Sequence, residues 1–183
     1  SDLDRPHRLA VSGIWELPFG KGKPFGSSVG AIANGFIGGW QLSGVYTFQS
    51  GAPINWGNII MYNEPSGIRL PGSQQRVERW FNIDAGFERN AALQLANNVR
   101  WFPPRFGSIR ADQINNYDLS IIKNTRFKER YNFQFRAEFL NAMNHPLFPA
   151  PNTTVTSAQF GQAIASTQAN YPRRTQLTAK FIF

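Results

Sequence analysis

Five stretches of the chain place apolar and polar side chains at alternate positions. In HRLAVSGIWEL, Leu9, Val11, Gly13, Trp15 and Leu17 fall on one side of an extended strand. Arg8, Ala10, Ser12, Ile14 and Glu16 fall on the other, because successive side chains point to opposite faces. WQLSGVYTFQ sets Trp40, Leu42, Gly44, Tyr46 and Phe48 against Gln41, Ser43, Val45, Thr47 and Gln49. NYDLSIIK sets Tyr117, Leu119 and Ile121 against Asn116, Asp118 and Ser120. YNFQFRAEFLN sets Tyr131, Phe133, Phe135, Ala137 and Phe139 against Asn132, Gln134, Arg136 and Glu138. The ending TQLTAKFIF sets Thr175, Leu177, Ala179, Phe181 and Phe183 against Gln176, Thr178, Lys180 and Ile182. The pattern predicts strands near 7–17, 40–49, 115–123, 131–141 and 175–183.

Most of these segments are longer than the usual globular strand and match the span of about 9–11 residues that a tilted strand needs to cross hydrocarbon. Aromatics mark the ends of the apolar faces at Trp15, Trp40, Phe48, Tyr117, Tyr131, Phe139 and Phe183, where rings suit the headgroup level. A soluble β-sandwich explains the alternation as well. It explains less well a second face carrying Asp118, Gln134, Arg136 and Glu138, which suits a wet lumen. We expect an all-β, antiparallel, up-and-down transmembrane barrel segment with sequential strand pairing. Odd-numbered residues are expected to face lipid in every strand.

The connections alternate in length. NTRFKER (124–130) reads as a short charged turn, whereas 50–113 and 142–172 are long and rich in Asn, Pro, Gly and Arg. The connection 18–39 is Gly/Ser-rich, with a short helix or strand expected around 29–37. Helical turns are expected within 87–98 and 157–166. Short connections fall on the side of the C-terminus, as in an outer-membrane barrel.

Composition narrows the classes. There is no cysteine, hence no disulfide framework or thiolate metal site. No apolar run is long enough for a spanning helix. A mean hydropathy of -0.35 fits a barrel whose strands are half apolar. The net charge of +8 invites a nucleic-acid reading, but the cations are scattered over turns and one long polar region. A solvated rim facing anionic headgroups accounts for them better, and no nucleic-acid partner is expected. His7 and His145 lie apart without metal-ligand spacing, and no nucleophile-elbow or phosphate-loop string occurs. Glu16, Asp118 and Glu138 could share one lumen as acid–base carboxylates. Ladder charges balanced by Arg8, Arg136 and Lys180 are the preferred account, and neither an enzyme nor a cofactor is expected. In the long connection, Trp80, Arg100, Trp101 and Arg105 are candidates for contact with a ligand such as a sugar or an anionic group, with aromatic packing between loops as the alternative.

DRPHRLAVSGIWELPFG, GGWQLSGVYTFQSGAPI, RWFNIDAGF, the run from Asn116 to Phe148 and TQLTAKFIF resemble the C-terminal part of Oar-like TonB-dependent receptors of the outer membrane. The resemblance implies a plugged barrel of about 22 strands that imports bulky substrates with energy passed on from TonB. Five strands cannot close, since the smallest such barrels need about eight, so the chain is expected to be a fragment. It is expected to be without the plug, the TonB box and a natural start of its own. The expected partners are outer-membrane lipid, the remaining strands and plug, and TonB through the missing N-terminal part. Leu177, Ala179, Phe181 and Phe183 are expected to form the signal read by the barrel-assembly machinery. A soluble or surface-anchored β-sheet module, holding glycan or protein through its Trp/Arg loops, is the alternative from another class. A pore built from several copies is a third.

Overall fold

The computed structural model describes residues 4–94, 105–127, 131–163 and 168–183. In chain order the elements are β1 (Arg8–Glu16), α1 (Ala31–Ile37), β2 (Trp40–Gln49), β3 (Pro53–Asn55), β4 (Arg105–Arg110), β5 (Ile114–Phe127), β6 (Tyr131–Leu140) and β7 (Arg174–Ile182). Short 3-10 turns occur at Pro65–Ile68 and Ala91–Leu93. Two compact units result. One comprises Leu9–Phe48, Asn115–His145 and Tyr171–Phe183; the other comprises Ser1–Arg8, Gln49–Ile114 and Pro146–Asn170.

The first unit is a five-stranded sheet in the order β1-β2-β5-β6-β7, each strand beside its predecessor as the alternation implies. The sheet is not closed, and β1 and β7 are its edges. β5 and β6 are antiparallel, with Leu119 opposite Phe139, Ile121 opposite Ala137 and Thr125 opposite Phe133. β6 and β7 bring Phe133 opposite Phe181 and Ala137 opposite Leu177. The Leu17 amide donates to the Trp40 carbonyl, and the Asn124 amide to the Gly39 carbonyl. Gly39 sits at φ +70, and a Cβ there would collide with the Asn124 carbonyl, so only glycine lets β2 begin against β5.

Two expectations need correction. The odd-number rule fails at β2. Its register pairs even positions with odd ones, so Tyr46 stacks on Tyr117 at 4.3 Å and the Lys123 ammonium lies over the Trp40 ring. Trp40, Leu42, Gly44, Tyr46 and Phe48 therefore share the face of the odd residues of β5, β6 and β7. Moreover, the stretch 124–127 is strand rather than turn. β5 continues to Phe127 because each residue finds a partner on β6, and Asn124 accepts from Gln134 across the pair at 2.9 Å.

β6 ends at Asn141, which is fully buried and adopts φ 49. Its side-chain amide donates to the His145 and Tyr171 carbonyls and accepts from the His145 amide. Asn tolerates this left-handed conformation, and its buried polar atoms are paired.

The second unit has a hydrophobic core of its own. β3 and β4 pair antiparallel, and Ile54, Trp56, Ile59, Met61, Ile68, Trp80, Phe81, Phe87 and Ile109 are buried together with Val155, Phe160 and Ala163. The Trp56 ring meets Phe81 edge-on at 4.6 Å, and Phe160 meets Phe81 and Phe87 edge-on at 5.2 and 5.0 Å. Such tilted and T-shaped pairs follow the ring quadrupole. Main-chain bonds from Trp80 to Gly161 and from Ala163 to Val77 tie the stretch after β6 to the long connection after β2. Of the helical turns expected within 87–98, the described residues hold the 3-10 turn Ala91–Leu93, capped by Asn90; residues 95–98 lie outside the described residues. Of the turns expected within 157–166, the described residues hold hydrogen-bonded ones, with Gly161 at φ +82 packed against Ile83 and Phe81; residues 164–166 lie outside the described residues. The short helix expected near 29–37 is α1.

Candidate functional site

The sheet presents two chemically opposite faces. One carries Leu9, Val11, Trp15, Trp40, Leu42, Tyr46, Tyr117, Leu119, Ile121, Phe133, Phe135 and Leu177. Among the described residues of the unit no helix or second sheet covers it, and Phe133 and Phe135 are 38% and 37% exposed. Among the described residues, every buried hydrophobic side chain except Ile122 belongs to the other unit. A soluble sheet would bury such a face. Lys123 is the cation on this side; it lies over Trp40 and donates to the Gly38 carbonyl near the strand end, a placement that lets its charged head reach the water boundary.

The opposite face carries Arg8, Ser12, Glu16, Gln41, Ser43, Thr47, Asp118, Ser120, Asn124, Gln134, Arg136, Glu138, Gln176, Thr178 and Lys180. Ile14, Val45 and Ile182 are its exposed apolar exceptions. The three carboxylates singled out from the sequence are held by different partners. Glu138 pairs with Arg136 at 3.4 Å, Glu16 pairs with Lys23 at 2.9 Å, and Asp118 accepts from the Asn141 amide at 2.8 Å. A polar cavity of about 490 Å³ opens at one end of this face, lined among others by Glu16, Lys23, Asn34, Gln41, Arg126 and Asn132.

The C-terminal strand keeps Leu177, Ala179, Phe181 and Phe183 on one face of an edge strand. All four are exposed, Phe183 to 87%. Phe181 stacks with Tyr131 at 5.8 Å and with Phe183 at 6.3 Å, so the rings form a ladder at that end of the sheet.

Of the loop candidates, Trp80 alone has a described side chain. Trp80 is only 8% exposed and its indole N–H donates to the Arg110 carbonyl at 2.7 Å. Its ring belongs to the hydrophobic core of the second unit. Arg100 and Trp101 lie outside the described residues, and of Arg105 only the backbone, opposite Asn55 at the start of β4, is described. Sequence reasoning missed the polar fastenings of this unit. Arg110 binds Asp4 at 2.7 Å, and its hydrogen bond and charge hold the Asp4 carboxyl below the ordinary carboxylate value. Glu88 is likewise held low, first by the Asn90 amide and then by the Tyr62 hydroxyl, whose own pKa rises through the same bond. Arg89 lies over Phe160 and donates to the carbonyls of Val155 and Ser157. No motif announces the Arg110–Asp4, Tyr62–Glu88 and Arg89–Val155 contacts, because their members are far apart in sequence.

An antiparallel sheet with one uncovered apolar face, one hydrophilic face and long connections defines a wall segment of a membrane β-barrel. A family model described as an outer membrane beta barrel domain matches residues 1–176, and the chain belongs to that family. No curated protein and no solved structure matches the chain. The protein resides in the cell outer membrane. No helix among the described residues is long and apolar enough to cross a membrane.

Proposed function

We propose that the chain forms the last five strands of a TonB-dependent receptor similar to the Oar-like receptors, supplying barrel wall and extracellular loops for energy-coupled uptake of a bulky substrate. The observation that carries this reading is an open sheet with a hydrophilic inner face and two unpaired edges, β1 and β7. In lipid, each unpaired edge N–H or C=O costs several kcal/mol, so further strands must complete the ring. The folded mass of connections supports the reading as well, because long loops belong to the extracellular end of such barrels. In this reading TonB acts through an N-terminal plug, and the loops do not depend on Trp80 to meet substrate.

Sequencing the gene upstream of the Ser1 codon tests the proposal. The reading frame is expected to continue into further alternating strands and a plug domain; a start codon at that point refutes it. A second expected result concerns assembly. The exposed Leu177, Ala179, Phe181 and Phe183 are the surface that the barrel-assembly machinery meets on a strand not yet paired. Phe183→Asp in the receptor is expected to reduce heat-modifiable barrel in outer-membrane fractions several-fold, because a charge replaces the terminal ring. Normal amounts of inserted barrel in that variant would remove Phe183 from the signal.

A further inference from the structure

The connection between β1 and β2 is held by its own hydrogen bonds and carries exposed apolar side chains. Its first half is a tight loop, in which the Gly20 amide donates to the Phe25 carbonyl and the Phe25 amide to the Pro18 carbonyl. The Phe19 and Phe25 rings meet at 5.8 Å. Its second half contains α1, fastened by Asn34, whose side-chain oxygen accepts from the Lys21 amide. α1 has two sides. Ala31, Asn34 and Gly35 line the polar cavity, whereas Ile32 and Phe36, one turn apart, are 83% and 74% exposed. Phe25 is exposed as well.

Three observations say what covers these side chains. First, the surface is continuous with the lipid-facing wall: the Trp40 indole, on that wall, donates to the Phe36 carbonyl at 2.8 Å. Second, the rings of Phe127, Tyr131, Phe181 and Phe183 gather at the same strand ends, as an interfacial girdle does. Third, residues 17–39 contain no acidic residue, and Lys21 is an exposed cation outside the Glu16–Lys23 pair, which suits an anionic headgroup layer.

We propose that the β1–β2 connection is an interfacial anchor, with Ile32, Phe36 and Phe25 inserted at the headgroup–acyl boundary of the leaflet at the C-terminal end of the strands. A short helix with apolar residues on one side and cations beside it lies in the plane of such a boundary. The ordered loop holds these side chains in place before lipid arrives, which lowers the entropy lost on insertion. The inference rests on the wall crossing lipid, and its test separates the two claims.

The chain has no cysteine, so Ile32→Cys and Phe36→Cys each give a single site here for a nitroxide. The labelled receptor, reconstituted in vesicles of phosphatidylethanolamine and phosphatidylglycerol, is examined by collision with oxygen and with a water-soluble nickel chelate. Phe133→Cys serves as the lipid reference and Tyr62→Cys as the aqueous one. Positions 32 and 36 are expected to collide more with oxygen than with nickel, as at position 133 but nearer the surface. Nickel collision as high as at position 62 overturns the anchor, and shielding from both reagents overturns it too, since a protein partner would then cover the helix. Nickel collision at position 133 itself would instead overturn the lipid-facing wall.

Discussion

Phe81→Ala is expected to unfold the unit built from the long connections while leaving the strand wall in the membrane. Phe81 is fully buried and its ring touches those of Trp56, Phe87 and Phe160, so truncation removes its burial and leaves a cavity among rings that cannot all move inward. Phe→Ala at such a site costs about 3–5 kcal/mol, a large share of the stability of a unit this small. Limited proteolysis of intact cells reads the result. Cleavage within 49–114 should become rapid, while heat-modifiable migration of the barrel is retained. Unchanged resistance of that stretch would show that the connections are not held by this core.

Ile121→Arg is expected to destabilise the barrel by about 2–4 kcal/mol, the cost of a cation on the lipid face near the bilayer midplane. Ile121 lies in mid-β5, opposite Ala137, on the apolar face. Gln176→Arg is the matched control. It adds the same side chain on the polar face opposite Glu138, where water and a carboxylate receive it, and should change stability by less than about 1 kcal/mol. Urea unfolding of the receptor from vesicles compares the two. Equal losses would mean that the faces have been assigned to the wrong media.

Much of the wall is legible in the chain. Period-two alternation names both faces of each strand, and the strand positions follow within a few residues, apart from the end of β5. There, Arg126 and Phe127 look like turn until Asn132 and Tyr131 are seen opposite them. The loop unit was legible only as a set of aromatic residues. Trp80 beside Arg79 suggests an exposed clamp in one dimension. In three, its ring packs inward and its N–H meets Arg110, 30 residues away.

By itself the sequence determines that five stretches are amphipathic strands. The reason is local: neighbouring side chains on an extended backbone point oppositely, so a period of two sorts apolar from polar wherever the strand is placed. Tertiary structure alone decides which face of one strand matches which face of the next. That depends on register across connections of differing length, and it is what sets Tyr46 of β2 on Tyr117 of β5. Tertiary structure also decides that connections without periodicity form a core, since Trp56, Phe81 and Phe160 become neighbours only when distant stretches of chain meet.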